Sequence, residues 1–347
     1  MTVIPQPVSA TPGSARGTRL RSLAMICWSF VTVAGLLLPQ VVSTFYLALL
    51  ISAVLLAISA VGIGFLLRYC GLVMFGVAAF IGLPAYLLGI SLMVLKLNIT
   101  VAVLVALLGS ALFALLVGAL IVRARPLPFT MLTLALGQML KSVVTLQTLR
   151  SVTGGDDGLS VTFSGSFMGM MQADYLHPTT FWYPAWLTLA LAILVLSIAG
   201  HSRFGQVLSA IKANEERMRF SGFNTYGPRL AAFVLCCIII SLSGVLMTLN
   251  SGFISPDLLD FGFGGNALLA MLIGGGGSVL GPVVGALLHT WGQNLFGTTG
   301  HLELLTGIGV IVVISLFPAG LIGLAQSFSK MVSKLQKRRE GKHAENR

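Results

Sequence analysis

Long runs of apolar residues dominate the chain, and polar residues gather between them. A helix that crosses a bilayer needs about 20 consecutive apolar residues. Runs of that kind occupy 23–39, 45–67, 72–95, 99–122, 128–149, 180–199, 230–250 and 303–325. A further apolar stretch, 264–296, is interrupted by Gly274-Gly275-Gly276-Gly277 and splits into two helices or half-helices, about 258–274 and 279–296. The pattern predicts an all-α polytopic membrane protein with about ten transmembrane helices, one pair broken at the Gly-rich stretch. The first run follows arginines, as in a signal peptide, but no small-x-small cleavage site follows and Pro39 ends it. It reads as a retained helix. The transmembrane domain then spans 21–326, between a Pro/Ser/Thr/Gly-rich tail (1–20) and a basic tail (327–347). Two polar segments, 150–179 and 201–229, are longer than simple connectors.

Composition sharpens this picture. Of 347 residues, 56% are hydrophobic and 9% charged, whereas a soluble domain carries roughly 25% charged residues. Both a soluble pair of domains and a disordered chain are excluded. The net charge of +11 raises nucleic-acid binding, but its location argues otherwise. Fifteen of the 21 Lys and Arg lie before the first run, from Arg203 to Arg229, or from Lys330 onward. Basic segments beside apolar spans follow the positive-inside rule. Both termini are therefore expected in the cytoplasm, the inner tail of 1–20 being disordered. An even number of crossings follows. Arg68, Arg123, Arg125 and the 201–229 segment then fall inside, and Asp156, Asp157, Asp174, Asp257 and Asp260 outside. Cys27, Cys70, Cys236 and Cys237 sit in or beside apolar runs, without metal-ligand spacing, and read as small buried apolar residues.

The inner segment reads Arg203-Phe204-Gly205 through Ala213, then Asn214-Glu215-Glu216-Arg217-Met218-Arg219-Phe220-Ser221-Gly222. Asn214 is suited to cap a helix, with Glu215 and Glu216 at its positive end and Gly222 as its stop. Asn-Glu, six residues, then Gly, between two spans, resembles the ATPase-coupling loop of ABC importer permeases. More specifically it is similar to the branched-chain amino-acid permease family of the LivM type. A rigid cytoplasmic helix there would seat in an ATPase groove and carry its motion to the membrane helices. Arg217 and Met218 depart from the small residues usual in the family. An ordinary basic loop is the alternative.

Three further stretches carry the resemblance. Gly71, Gly76, Ala79, Phe80, Gly82, Ala85 and Tyr86 match a Gly-rich family helix, while Met74, Val77 and Pro84 stand where Ser, His and Gly are common. The resemblance implies that the helices around 71–95, 128–149 and 266–296 form the translocation path, with Gly76, Phe80, Tyr86, Gln138, Lys141, Thr153, Gly154, Gly155 and Asp157 as candidates to line it; a plain packing helix with a Pro kink is the alternative for 71–86. Thr153-Gly154-Gly155-Asp156-Asp157-Gly158-Leu159 resembles an outer Thr-Gly-Gly-x-x-Gly-Leu segment. It would line the solute's way in or form a structural turn. Gly274-Gly275-Gly276-Gly277-Ser278-Val279-Leu280-Gly281-Pro282-Val283-Val284-Gly285-Ala286 resembles the family's Gly-Gly-x-Gly-Ser-x-x-Gly-Pro-x-x-Gly-Ala stretch. Gly277, Gly281 and Gly285 are expected on one smooth helix face, with Ser278 as cap and Pro282 in the first turn. Helix packing is favoured there over substrate contact. The resemblance covers about 45–325.

Lys141 lies inside an apolar run, with Gln138 on the same helix face. An intramembrane cation is costly and usually has a role. It either guides an anionic group of the solute, or snorkels outward or pairs with Asp156 or Asp157. Glu303 and His301 are expected at an interface, and His289 with Trp291 as a satisfied interfacial pair.

The resemblance implies a permease subunit in a bacterial inner membrane. It would carry branched-chain or related amino acids, or, as in close relatives, urea, short amides or small carboxylates. It implies a second homologous permease subunit, two P-loop ATPase subunits holding ATP and Mg, and an extracytoplasmic solute-binding protein. This chain has no Gly-x-x-x-x-Gly-Lys-Ser/Thr sequence of its own. A stand-alone secondary transporter or channel would want intramembrane carboxylates, and every Asp and Glu falls in a loop, span end or tail. A membrane enzyme would need a convergent catalytic set, and none is visible.

Overall fold

The computed structural model describes residues 35–297 except Ser164 and Met168, together with 307, 308 and 311. The tails 1–20 and 327–347, the expected span 303–325 apart from those three residues, most of the expected span 23–39, and His301 and Glu303 lie outside the described residues. The chain divides into two compact units, Met1–Ser43 and Thr44–Arg347. In the first, Leu38–Gln40 form a 3-10 turn with Pro39 near its start. The second unit holds the helix bundle.

Its helices in chain order are α1 (Thr44–Cys70), α2 (Val77–Met93), α3 (Ile99–Ile121), α4 (Pro126–Val144), α5 (Arg150–Thr153), α6 (Gln172–Leu176), α7 (Pro178–His201), α8 (Arg203–Ala213), α9 (Glu215–Phe220), α10 (Tyr226–Ser251), α11 (Phe261–Gly274) and α12 (Gly281–Phe296). Among the described residues five helices, α1, α3, α4, α7 and α10, are long and apolar enough to cross a membrane, while α2 and α11 are apolar but shorter. A two-residue ribbon pairs β1 (Leu159–Ser160) antiparallel with β2 (Phe253–Ile254), Leu159 opposite Ile254.

Helix α1 is the central pillar. It is apolar on every side, and residues 53–66 are buried without a break, as expected of a helix with no polar stripe. It packs against α2, α7, α8, α10, α11 and α12. Helix α3 is one-sided instead. Ala102, Ala106, Ser110, Ala114 and Gly118 recur every four residues and are buried against α2 and α10. Leu104, Leu108, Leu112, Leu116 and Leu120 are exposed on the other side. Small residues let backbones approach, and the leucines form an exposed apolar surface suited to lipid.

The helix expected over 72–95 begins only at Val77. Gly71 takes φ +69°, and residues 71–74 carry no regular structure before the turn at Phe75 and Gly76. The run expected over 128–149 leaves the α-helix after Val144 and finishes as a 3-10 turn, Gln147–Leu149. The helix expected from 258 starts at Phe261, behind a 3-10 turn over Pro256–Leu259. Asp260 caps it, its side chain accepting from the Gly262 amide.

Between α11 and α12 the chain reverses, with Gly275 at φ +90°. A Cβ on Gly274 would lie 1.8 Å from the Gly281 carbonyl oxygen, and one on Gly285 would lie 1.9 Å from that of Ala270. Only glycine permits this antiparallel contact. Gly277 is not part of it: a Cβ there would meet nothing within 4 Å. Ser278 does not cap α12 either. The N-cap position is Leu280, Pro282 lies in the first turn, and the Ser278 hydroxyl accepts from the Leu280 amide at 3.1 Å. The reason is geometric: the tight Gly274–Gly281 crossing starts the helix two residues later than a Ser278 cap would.

Candidate functional site

One end of the bundle carries the basic residues, and α8 and α9 are built onto it. Helix α7 passes into α8 through Ser202. The corner is closed by glycine: a Cβ on Gly205 would sit 2.1 Å from the Gly200 carbonyl oxygen, and one on Gly200 would sit 2.3 Å from the Tyr69 hydroxyl. Leu208 and Ile211 bury the inner face of α8. Lys212 then donates to the carbonyls of Leu67 and Arg68, both at 3.0 Å. These belong to the last turn of α1, at the negative end of the helix dipole, where a cation is favoured; the Leu67 carbonyl also accepts from the Gly71 amide.

Asn214 ends α8 and caps α9, its side-chain oxygen accepting from the Arg217 amide at 2.9 Å. Such a cap contributes about 1 kcal/mol. Gly222, at φ +82°, turns the chain out of α9, and the Phe223 amide bonds the Met218 carbonyl. Glu215 does more than sit at the helix start. Its carboxylate takes Arg229 Nη1 of α10 at 2.7 Å and the Thr225 hydroxyl at 3.3 Å. Arg229 is buried, and its Nε has no hydrogen-bond partner. A cavity of about 600 Å³ opens there, lined by Arg123, Glu215, Arg219, Tyr226 and Arg229 among others. Arg123 stacks over the Tyr226 ring at 5.1 Å, and the Tyr226 hydroxyl donates to the Ala119 carbonyl. Arg203, Glu216, Gly222, Phe220 and Phe223 are exposed. The result is a short helix pair braced on α1, α7 and α10, with charged and aromatic side chains on its free face.

The second candidate region is the crossing of α4 with the 71–76 segment. The Gly76 amide donates to the Thr133 hydroxyl at 3.4 Å, and the Thr130 hydroxyl donates to the Val73 carbonyl at 3.1 Å. A Cβ on Gly76 would lie 1.8 Å from the Thr133 carbonyl oxygen. Two residues on, Ala78 meets Gly264 of α11, where a Cβ would lie 2.6 Å from the Ala78 amide nitrogen. Ile81 reaches Gly244, well inside α10. Helix α2 therefore begins within the bundle, where α4 and α11 meet it.

Lys141, in the last turn of α4, does not pair with Asp156 or Asp157. Its ammonium lies 2.9 Å from Asp260 Oδ1 at the start of α11. Hydrogen bonding from Lys141 holds the Asp260 carboxyl below the usual carboxylate range, with the Gly262 amide and Gln138 adding to the effect. Asp157 pairs with Arg150 instead, at 2.5 Å. The pairing follows from topology, since α4 packs against both the 256–259 turn and α11.

The Thr153–Asp157 segment is a closed knot. The Thr153 hydroxyl donates to the Val144 carbonyl at 2.7 Å and the Leu149 carbonyl at 3.0 Å. Gly154, Gly155 and Gly158 all have positive φ, and a Cβ on Gly154 would lie 1.9 Å from the Gly158 carbonyl oxygen. Phe80 is enclosed by Phe113 and Phe233, and Tyr86 is 3% exposed with an unpartnered hydroxyl. Of the residues expected on the path, Gln138 and Lys141 face open space or a partner side chain, Gly76 is in the crossing, and Phe80 and Tyr86 belong to the core. His289 is not a satisfied interfacial residue: it is 4% exposed and its Nε2 lacks a partner. Among the described residues no group of three or more His, Cys, Asp or Glu side chains converges.

Sequence reasoning missed Asp260, Arg229, Lys212 and Thr133 as partners. Lys141 carried the one usable signal, since an intramembrane cation calls for a carboxylate.

Apolar helices around a buried pillar, with glycine crossings and a braced polar helix pair at one end, make a multi-pass membrane permease. The chain belongs to the family described as branched-chain amino acid transport system / permease component, whose model matches residues 45–329. It is 21% identical to the high-affinity branched-chain amino acid transport system permease protein LivM of Escherichia coli K12, over 88% of this chain and 74% of that one. It is 27% identical to the LivH permease protein of Salmonella typhimurium over 57% of this chain and 67% of that one. The ribose import permease protein RbsC of Escherichia coli K12 is 23% identical over 64% and 70%. No solved structure matches.

Proposed function

We propose that this chain is the membrane-spanning subunit of an ATP-driven importer that carries a small solute inward by alternating access. ATP and Mg are held by two P-loop ATPase subunits. A second homologous permease completes the membrane domain, and an extracytoplasmic binding protein delivers the solute. In this reading the protein sits in a bacterial inner membrane with about ten crossings and both termini inside.

The observation that carries the reading is the brace under α9. A force on the exposed face of α9 passes through Glu215 to Arg229 and so to α10, and through Lys212 to α1. Helix α10 packs on α2, whose first turn rests on α4 at the Gly76–Thr133 crossing. Motion of the ATPase subunits is thereby delivered to the helices that meet inside the bundle. Rocking of packed helices on small-residue contacts is a common form of alternating access.

Branched-chain or related amino acids are the solutes that the family description and the LivM relative suggest. A second reading, a neutral solute, is favoured by the Lys141–Asp260 pair, because the one cation within α4 is already neutralised. Affinity purification of the tagged chain in mild detergent tests the class. A co-purifying P-loop ATPase and a second polytopic permease are expected. A folded chain recovered alone under several detergent conditions would remove the importer reading.

A further inference from the structure

The cavity of about 600 Å³ beside α9 is within the range of small-molecule sites, about 300–1,000 Å³. Three guanidinium groups line it: Arg123, just past the end of α3, Arg219 of α9 and Arg229 of α10. The Arg229 side chain is only 10% exposed, and its Nε has no hydrogen-bond partner among the described residues. A buried N–H of a cation left without an acceptor is costly, so the group calls for one. Arg123 and Arg219 form no ion pair with a described carboxylate. The carboxylate in the lining, Glu215, is engaged by Arg229 Nη1 and the Thr225 hydroxyl. Helix α10 begins at the same cavity. Asn224 Oδ1 accepts from the Tyr226 and Gly227 amides, which leaves the Asn224 NH2 group to donate. The positive end of a 26-residue helix favours an anion there.

Guanidinium forks and a helix N-terminus are the groups that match phosphate oxygens. The surroundings point to the source of the phosphate. Arg123 follows Leu120 by three residues, at the end of the exposed leucine face of α3. A phosphate seated among the arginines leaves acyl chains free to lie along Leu116 and Leu120. This is the basic end of the bundle, expected at the cytoplasmic leaflet, and basic pockets between helices on that side suit anionic headgroups. We propose that this cavity binds the phosphate of an anionic phospholipid, held by Arg123, Arg219 and Arg229. The bound phosphate ties the end of α3 to α9 and to the start of α10. The site goes beyond the importer reading and does not depend on it.

The test uses the purified full chain in a neutral detergent at about 0.15 M salt, where exposed charges are screened beyond about 8 Å. Thermal unfolding is followed with phosphatidylglycerol, phosphatidylcholine or inorganic phosphate added. Phosphatidylglycerol is expected to raise the midpoint saturably by about 2–4 °C, as a ligand that binds only the folded state does, and the other two to leave it in place. Arg123→Gln and Arg219→Gln should each weaken the apparent affinity at least about tenfold, the scale of one charge-assisted hydrogen bond. Arg217→Gln removes the same charge two residues from Arg219 but outside the lining, and should leave the response unchanged. Where a variant shifts the midpoint by itself, the phosphatidylglycerol retained per chain, read by mass spectrometry of the intact protein, makes the same comparison. No preference for phosphatidylglycerol over phosphatidylcholine, equal binding by the cavity variants, or an equal loss in Arg217→Gln would overturn the proposal. A saturable response to inorganic phosphate that matches the response to phosphatidylglycerol would assign the cavity to a soluble anion and overturn the lipid source. Neither ATPase subunits nor uptake enter this measurement, so failure here and failure of the importer reading are separate results.

Discussion

Helices α1 and α4 both have the length and apolarity to cross a bilayer, yet 83% of the most apolar stretch of α1 is buried against 22% of that of α4. The difference separates two jobs. Helix α1 has no polar face and is surrounded by six other helices. Helix α4 touches its neighbours through Phe129, Thr133, Gly137 and Val144 and leaves Leu127, Met131, Gln138 and Ser142 uncovered. Gln138 and Met131 are seven residues apart and lie on one face. Burial on all sides suits a fixed pillar. A helix attached along one narrow seam, at a glycine crossing and an ion pair, suits an element that moves or meets a second subunit.

The largest expected effect breaks the comparison on the side of α1. Ile58→Asn places an amide at a fully buried site, at a cost of about 3 kcal/mol from the unsatisfied group and lost packing. The same residue type at Met131, which is 64% exposed, should leave the fold intact. Detergent-resistant monodispersity and thermal midpoint read the contrast. An equal loss in both variants would place α4 in the same packed environment as α1.

Next in size is the brace. Glu215→Ala leaves the buried Arg229 without its carboxylate, so both the setting of α9 and the transmission to α10 should fail. Solute uptake driven by ATP should drop more than about tenfold while membrane insertion persists. Arg229→Leu removes both the charge and the need for a partner, and the double variant should fold better than Glu215→Ala alone.

Smaller again is the pair that fastens α4. Lys141 and Asp260 are 31% and 41% exposed, so solvent screening limits their coupling to no more than about 1 kcal/mol. A double-mutant cycle with Lys141→Ala and Asp260→Ala measures it. The pH dependence has a definite sign. The Asp260 carboxyl is held below its usual range in the folded state. Its contribution is therefore present above about pH 4 and is lost as pH falls through the lowered value. Asp260→Asn should remove that part of the acid limb of the thermal midpoint.

How far these features could be read from the sequence depended on whether their partners were local. The cap of α9 was legible because Asn214, Glu215, Glu216 and Gly222 all act within one short segment. The apolar runs gave α1, α3, α7 and α10 within a few residues, since long uniform spans need no tertiary information. The late start of α2 was hidden, because Gly76 leaves helical structure in order to approach a backbone 57 residues away. The partner of Lys141 is 119 residues distant, and spacing alone pointed to the nearer Asp156 and Asp157. Ser278 looked like a cap by its spacing, but the Gly274–Gly281 contact decides where α12 begins.

The central claim is that ATP hydrolysed on other subunits drives transport through this chain by way of α9. Its most direct test is uptake into vesicles holding the co-purified assembly, with and without internal ATP, for the native chain and Glu215→Ala. The account predicts uptake that requires both ATP and the native Glu215. Uptake by this chain alone, without nucleotide and unchanged by Glu215→Ala, would contradict it.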